Sequence, residues 1–317
     1  MTTIGTWTDD SPHRAAFADV NGVRIHYLDW GGGGDPLVLV HGLGDSPHLF
    51  DDLAPLLTDR FRVVAYARRG HGDSDAPAAG PYDLATLVED LRQLLDTLGF
   101  ERTNLLGWSM GGNEITSFAG LYAERVAGLV YLDAGYELSD PAFLHELGPA
   151  LGTIAPEAPD LASLQAYRDW TRVSMFGETP WTSGLEAFVR DTTVLGPDGS
   201  VAPRMSGSVE GALFDSVART PRDYGSVRAP ALALYASSFF PPAPRDPHKA
   251  EVIEGFERRV MDPFRQDNME RIRRELHARV QLIPEVTHMS IGVHDAAALA
   301  EVIGSFLLSP TINTAEP

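Results

Sequence analysis

The chain has 317 residues, 44% of them hydrophobic and 22% charged, which places it among globular proteins with material for a large core. A formal net charge of −19 argues against nucleic acid or an anionic membrane as partners, and the absence of cysteine excludes disulfides, thiolate metal sites and a cysteine nucleophile. Met1 to Arg14 is polar without an apolar stretch, and no later run approaches the ~18 apolar residues of a membrane span, so a cytoplasmic protein is expected.

Ala15–Val20 and Val23–Trp30 alternate weakly around Asn21-Gly22, a hairpin signal. Gly31 to Gly34 precedes a strand, Pro36–Val40, instead of opening a helix, so it is a flexible turn and no nucleotide site is expected. His41-Gly42-Leu43-Gly44-Asp45 comes directly after that strand, followed by a helical stretch over His48–Leu57 and a strand over Phe61–Tyr66. Arg68 to Asp75 is a loop. Tyr82-Asp83 introduces the clearest helix, in which Leu84, Leu87, Val88, Leu91, Leu94, Leu95 and Leu98 recur at threes and fours before Gly99 stops it.

Thr103 to Leu106 is an apolar strand that runs straight into Gly107-Trp108-Ser109-Met110-Gly111, and a helical pattern follows over Asn113–Tyr122. Gly-x-Ser-x-Gly between strand and helix describes a turn that lifts a serine hydroxyl above a sheet edge, with the first amides of the helix aimed at whatever it attacks. Gly107 and Gly111 leave no Cβ to collide with the neighbouring strand or helix. Val126–Leu132 is another strand, ending at Asp133. Strands alternating with helices of this length predict a mostly parallel sheet covered on both faces, where reactive groups collect at strand carboxyl ends. His41, Ser109 and Asp133 all fall just past strand ends.

From Tyr136 to about Tyr224 the rhythm changes: prolines cluster, helical patches shorten and aromatics are frequent. The division expected is a core of residues 1–135 and 226–317 interrupted by an inserted helical cap, 136–225. Trp108, Trp170, Phe176, Trp181 and Phe240 are candidate liners of an apolar substrate pocket, with ordinary core packing the competing explanation for each. The apolar loop Phe239–Pro244 is a candidate gate to it. A strand over Pro230–Ala236, a helical pattern over Glu251–His277, a strand over Val280–Ile283 and a helix over Ala296–Leu308 complete the chain. The basic groups Arg258-Arg259 and Arg271 with Arg273-Arg274 fall in the first of these helical patterns, interleaved with glutamate as on a solvated face.

A serine hydroxyl needs a base, and histidine is the usual one at neutral pH. Of ten histidines, His13, His145, His248 and His277 have the setting of surface or helix-face residues, His26 lies in a strand and His294 abuts the last helix. His288, in a loop directly after the last strand, is the candidate base.

The order His-Gly, Arg-Gly-His-Gly-x-Ser, Gly-x-Ser-x-Gly-Gly and a late histidine resembles the α/β-hydrolase superfamily over about residues 15 to 308. The resemblance implies Ser109 as nucleophile, His288 as general base and an oxyanion hole from the N–H groups of Met110 and Leu43, with His41 structural and Arg69 to Gly72 a packing turn. Many relatives carry the triad acid after the strand equivalent to Ala231–Ala236. Here no carboxylate follows until Asp246. A subset of the superfamily places the acid where Asp133 stands, and a fixed strand end suits a group that must orient the histidine better than a proline-rich loop does. Asp133 is favoured, with Asp246 the other candidate. Dehalogenases and epoxide hydrolases of the superfamily carry aspartate at the nucleophile position, so Ser109 points to an acyl-enzyme formed on a small apolar carboxylic ester or lactone. The same triad also serves carbon–carbon or amide hydrolysis and perhydrolysis, and the fold also serves ligand binding without turnover. A small-molecule ester-like substrate is the expected partner, no metal or cofactor is called for, and a monomer or homodimer is expected.

Overall fold

The computed structural model describes residues 7–177, 179–242 and 246–309. The hairpin forms as the sequence predicts: β1 (Arg14–Val20) and β2 (Val23–Gly31) are joined by Asn21 and Gly22, both at positive φ, the conformation that matches the twist of an antiparallel pair. There follow β3 (Asp35–Val40), β4 (Phe61–Tyr66), α1 (Leu84–Leu98), β5 (Thr103–Trp108), α2 (Gly111–Leu121) and β6 (Val126–Leu132). Asp83 caps α1 by accepting from the Thr86 N–H, and Gly99 ends it in the left-handed conformation. Next come α3 (Pro141–Ile154), α4 (Leu164–Ser174), α5 (Ser183–Thr192), the short antiparallel pair β7 (Thr193–Leu195) and β8 (Val201–Pro203), and α6 (Gly207–Ala218). The chain closes with β9 (Ala231–Ser238), α7 (Pro247–Phe256), α8 (Asp262–Leu276), β10 (Arg279–Thr287) and α9 (Ala296–Leu308).

Eight strands form one sheet in the order β1-β2-β4-β3-β5-β6-β9-β10. β1/β2 and β2/β4 are antiparallel, and every pairing from β4 through β3 to β10 is parallel. Alternation along the central strands divides the core. Val38, Leu105, Leu129 and Ala233 face α1 and α2, whereas Leu39, Leu106, Val130 and Leu234 face the side covered by α9. Among the described residues no helix is long and apolar enough to cross a membrane.

Three expectations about elements need correction. His48–Leu57 is two single 3-10 turns, Pro47–Phe50 and Ala54–Leu57, because Pro55 offers no N–H and blocks helix propagation. The long helical pattern begins earlier than expected, at Pro247, and contains a π-helical turn over Glu257–Met261. Pro263 accounts for it: the ring cannot donate to the preceding turn, and one wide turn absorbs the lost bond. The last strand runs on past Ile283 to Thr287 through a register shift, where Pro284 cannot donate to the ladder and Glu285 takes φ 59°.

Among the glycines of the turn around Ser109, the contact with least slack is at Gly111, where a Cβ would lie 2.2 Å from the Val40 carbonyl oxygen. Gly111→Ala is therefore expected to destabilise the fold by about 3 kcal/mol or more. Gly152→Ala, in the exposed part of α3 with open space around it, is expected to gain up to about 1 kcal/mol. Urea unfolding of the two variants beside the wild type checks both.

Candidate active site

β5 delivers Ser109 at φ 54°, a region that an L-residue enters only when its surroundings compel it. The compulsion is visible on both sides. A Cβ on Gly107 would come 2.6 Å from the Gly111 carbonyl, and one on Gly112 would come 2.3 Å from the Ala134 carbonyl oxygen. The Ser109 N–H reaches back to the Leu132 carbonyl at 3.3 Å, and the Gly112 N–H closes the turn on the Ser109 carbonyl at 3.0 Å.

Asp133 follows β6 at φ 45°, fully buried, its N–H bound to the Leu234 carbonyl at 2.7 Å. Its Oδ1 accepts from the Tyr136 hydroxyl (2.7 Å) and the Ala236 N–H (2.9 Å), and its Oδ2 meets His288 Nδ1 at 2.6 Å. Burial and the neighbouring Asp133 charge hold the Tyr136 phenol well above its ordinary range, so it stays a donor. His288 stands just past β10. Its N–H bonds the Phe239 carbonyl (3.2 Å), its carbonyl accepts from Trp108 Nε1 (3.0 Å), and its ring stacks on Phe239 at 4.4 Å and 18°. Of the two candidate acids, the structure brings Asp133 to His288. Asp246 is exposed and caps α7, accepting from the N–H groups of His248 and Lys249.

Leu43 and Met110 border the same cavity as Ser109 and His288, and among the described residues neither backbone N–H donates to a protein acceptor. The loop bearing Leu43 is held by Arg68, whose guanidinium donates to the His41 and Gly42 carbonyls and pairs with Glu114 of α2 at 2.6 Å. Burial and the Arg68 charge push the His41 imidazole well below its usual range and His71 down to about 3. Both are neutral, and His71 Nε2 accepts from the Gly44 N–H (3.2 Å), so these histidines shape the loop. Arg69 forks onto Asp90 at 2.5 and 2.6 Å.

The cavity encloses about 530 Å³ and is mostly apolar. Of the five aromatic candidates, Phe240 lines it, together with Phe239 and Pro241 of the candidate gate; Pro244 of that loop lies outside the described residues. The other four are corrections. Trp108 is fully buried beneath the His288 loop, which its indole N–H holds. Phe176 packs edge-on against Phe188 in the core. Trp181 donates to Glu186 at 3.3 Å, and Trp170 donates to the Ile154 carbonyl at 3.0 Å while bordering a separate hollow. Each indole N–H sits where it finds an acceptor, and that decides where the ring goes. The lining that sequence reasoning missed includes Phe143, Leu147, Leu151 and Ile154, an apolar stripe along α3 at helical spacing, and two charged residues, Asp45 and Arg222.

Asp9, His13, His48 and Asp51 bring one ligand atom each to within 4.8 Å of one another, and they are the group of described residues placed to hold a cation. None of them borders the cavity. His13, expected at the surface, has a side chain only 6% exposed and sits edge-on to Trp30 at 5.4 Å.

The family described as alpha/beta hydrolase fold matches residues 35–169 of this chain. The soluble epoxide hydrolase of Corynebacterium sp. (strain C12) is 36% identical over 126 residues, 40% of this chain and 42% of that protein. The fluoroacetate dehalogenase of Burkholderia sp. is 36% identical over 119 residues, 36% of this chain and 39% of that protein. The chain thus spans well under half the length of these curated relatives. Among solved structures, E-2-(acetamidomethylene)succinate hydrolase aligns over 94% of this chain and 100% of its own with a TM-score of 0.71 at 19% identity. The enol-lactonase from Burkholderia xenovorans aligns over 93% and 100% with a TM-score of 0.60 at 22% identity. At these identities the likeness to solved structures is one of fold. Taken with the mostly parallel eight-stranded sheet and the strained strand–turn–helix at Ser109, the matched segment shows that this chain has the α/β-hydrolase fold.

Proposed function

We propose that the protein hydrolyses a small, largely apolar carboxylic ester or lactone through an acyl-enzyme on Ser109. The observation that carries this reading is the buried 2.6 Å contact between His288 and Asp133, on the wall of the cavity that the strained Ser109 borders. With the other Asp133 oxygen occupied by Tyr136 and Ala236, the carboxylate accepts the Nδ1 proton of His288 and leaves Nε2 as the base. Nε2 takes the Ser109 proton as the oxygen attacks the carbonyl. The unspent amides of Leu43 and Met110 meet the oxyanion, and the imidazolium protonates the departing alcohol. Water, deprotonated by His288, then releases the acid and restores the serine. The superfamily resemblance implies an aspartate nucleophile for attack on the saturated carbon of an epoxide or alkyl halide, and Ser109 stands at that position instead. A serine alkoxide suits a carbonyl, and the enol-lactonase with the same fold acts on such a group.

Steady-state release of p-nitrophenol from p-nitrophenyl butyrate tests the reading. Ser109→Ala and Asp133→Asn are expected to lower kcat/KM by roughly 10³-fold or more, while Asp246→Asn stays near the wild type. A wild type no faster than Ser109→Ala would overturn the acyl-enzyme.

Asp45 borders this site without a part in the proton transfers. Burial pushes its carboxyl from 3.8 up to about 6, against the opposing pull of His288 and Arg68. The unfolded chain therefore releases this proton first. Stability falls as pH rises through that window, by on the order of 1–3 kcal/mol. Asp45→Asn removes the titration, so its stability relative to wild type is expected to rise between pH 4 and 7. Urea unfolding at both ends of the range measures it, and a pH-independent difference would refute the raised carboxyl.

A further inference from the structure

Four arginines are buried among the described residues: Arg68, Arg69, Arg222 and Arg265. Three have carboxylate partners, Arg68 on Glu114, Arg69 on Asp90, and Arg265 on Glu257 and Asp262. Arg222 does not. It is 6% exposed, in the loop leaving α6, and its guanidinium reaches only neutral oxygens: Nη2 on Asn113 Oδ1 at 2.5 Å and Nη1 on the Tyr224 hydroxyl at 3.5 Å. Its Nε is buried with no partner. The acid nearest in the network, Glu137, accepts from the Arg222 backbone N–H and is already paired with Arg271. A desolvated cation without a counter-ion is costly to keep, and it lowers its energy when an anion joins it.

Arg222 also borders the cavity that holds Ser109 and His288, and it is the only lysine or arginine to do so among the described residues. Its anchor, Asn113, stands in the first turn of α2, four residues beyond Ser109 in the chain. The remaining charged lining is acidic, Asp45 within and Glu210 at an exposed position. One planar, monovalent fork in an apolar wall suits a carboxylate; a phosphate dianion would leave charge uncompensated.

We propose that Arg222 is a carboxylate-binding subsite, and that the substrate is an ester or lactone carrying a free carboxylate a short apolar spacer from the carbonyl that Ser109 attacks. This rests on the acyl-enzyme reading for the reaction, but not for the binding. A buried site built for a charged group discriminates strongly against the analogue that lacks it.

The test compares mono-p-nitrophenyl glutarate with p-nitrophenyl hexanoate, of similar length, with Ser109→Ala as the blank. The wild type is expected to favour the glutarate in kcat/KM. Arg222→Met is expected to lower the glutarate-to-hexanoate ratio roughly 10- to 100-fold, chiefly through KM, with Arg222→Lys recovering part of it. In the wild type alone, so that folding of variants is not at issue, monomethyl glutarate should inhibit hexanoate hydrolysis competitively and dimethyl glutarate should not. A wild type that hydrolyses hexanoate well, shows no preference for the glutarate and is not inhibited by the monoester would overturn the subsite and leave the hydrolase standing. Inorganic phosphate inhibiting more tightly than the monoester would overturn the choice of carboxylate. If neither ester is turned over, the hydrolase reading falls, and calorimetry of monomethyl glutarate on Ser109→Ala decides the subsite: binding lost in the Arg222→Met double variant supports it, and no binding ends it.

Discussion

The site depends on how closely α2 is allowed to approach the sheet. Backbone meets backbone at Gly107, Gly111 and Gly112, with no room for a Cβ at any of the three. A helix pressed this hard against the ends of β3 and β6 can be reached from β5 only through a very tight turn, and Ser109 bears the resulting positive φ. The strain is local, and the cores on both faces of the sheet sustain it. The same approach sets the first amide of α2 beside the serine and brings the loop after β3 within reach, since Gly42 too has a Ser109 neighbour where a Cβ would go.

Charge is handled in two ways. Where it serves as scaffold it is buried in pairs: Arg68 ties the Leu43 loop to α2 through Glu114, and Arg69 ties the next loop to α1 through Asp90. Such pairs contribute little net stability but cost much to break, which makes them good devices for fixing a loop in one place. Around the cavity the pattern changes. Asp45 is held against its tendency to ionise, and Arg222 is left without a carboxylate. A folded chain carries such groups at a cost, and here both face the space a ligand would fill.

The walls of that space come from different parts of the chain. The sheet supplies the reacting groups and the loop after β9 supplies Phe239 and Phe240, while the segment between β6 and β9 supplies the apolar stripe of α3 and one side of α6. This segment is not uniformly detached from the sheet. α5 packs into the core through Leu185, Phe188 and Val189, which is why Phe176 and Trp181, held against it, turn away from the cavity.

Much of the fold was legible in the chain because it rests on local rules. Asn21-Gly22 specifies its own hairpin, the leucine spacing of α1 and its Asp83 and Gly99 ends specify a helix, and the glycines around Ser109 announce a turn that only they can make. The same local logic misled at His48–Leu57, where Pro55 outweighs a helical pattern. What the sequence by itself determined was which residues stand at strand ends and hence which were eligible for chemistry. Only the tertiary structure decided which of them meet. Asp133 and His288 are 155 residues apart and Trp108 and His288 are 180 apart; no periodicity reports on such pairs. The cavity aromatics and the unpaired Arg222 belong to the same class, because burial and pairing are properties of an assembled neighbourhood and not of any residue read along the chain.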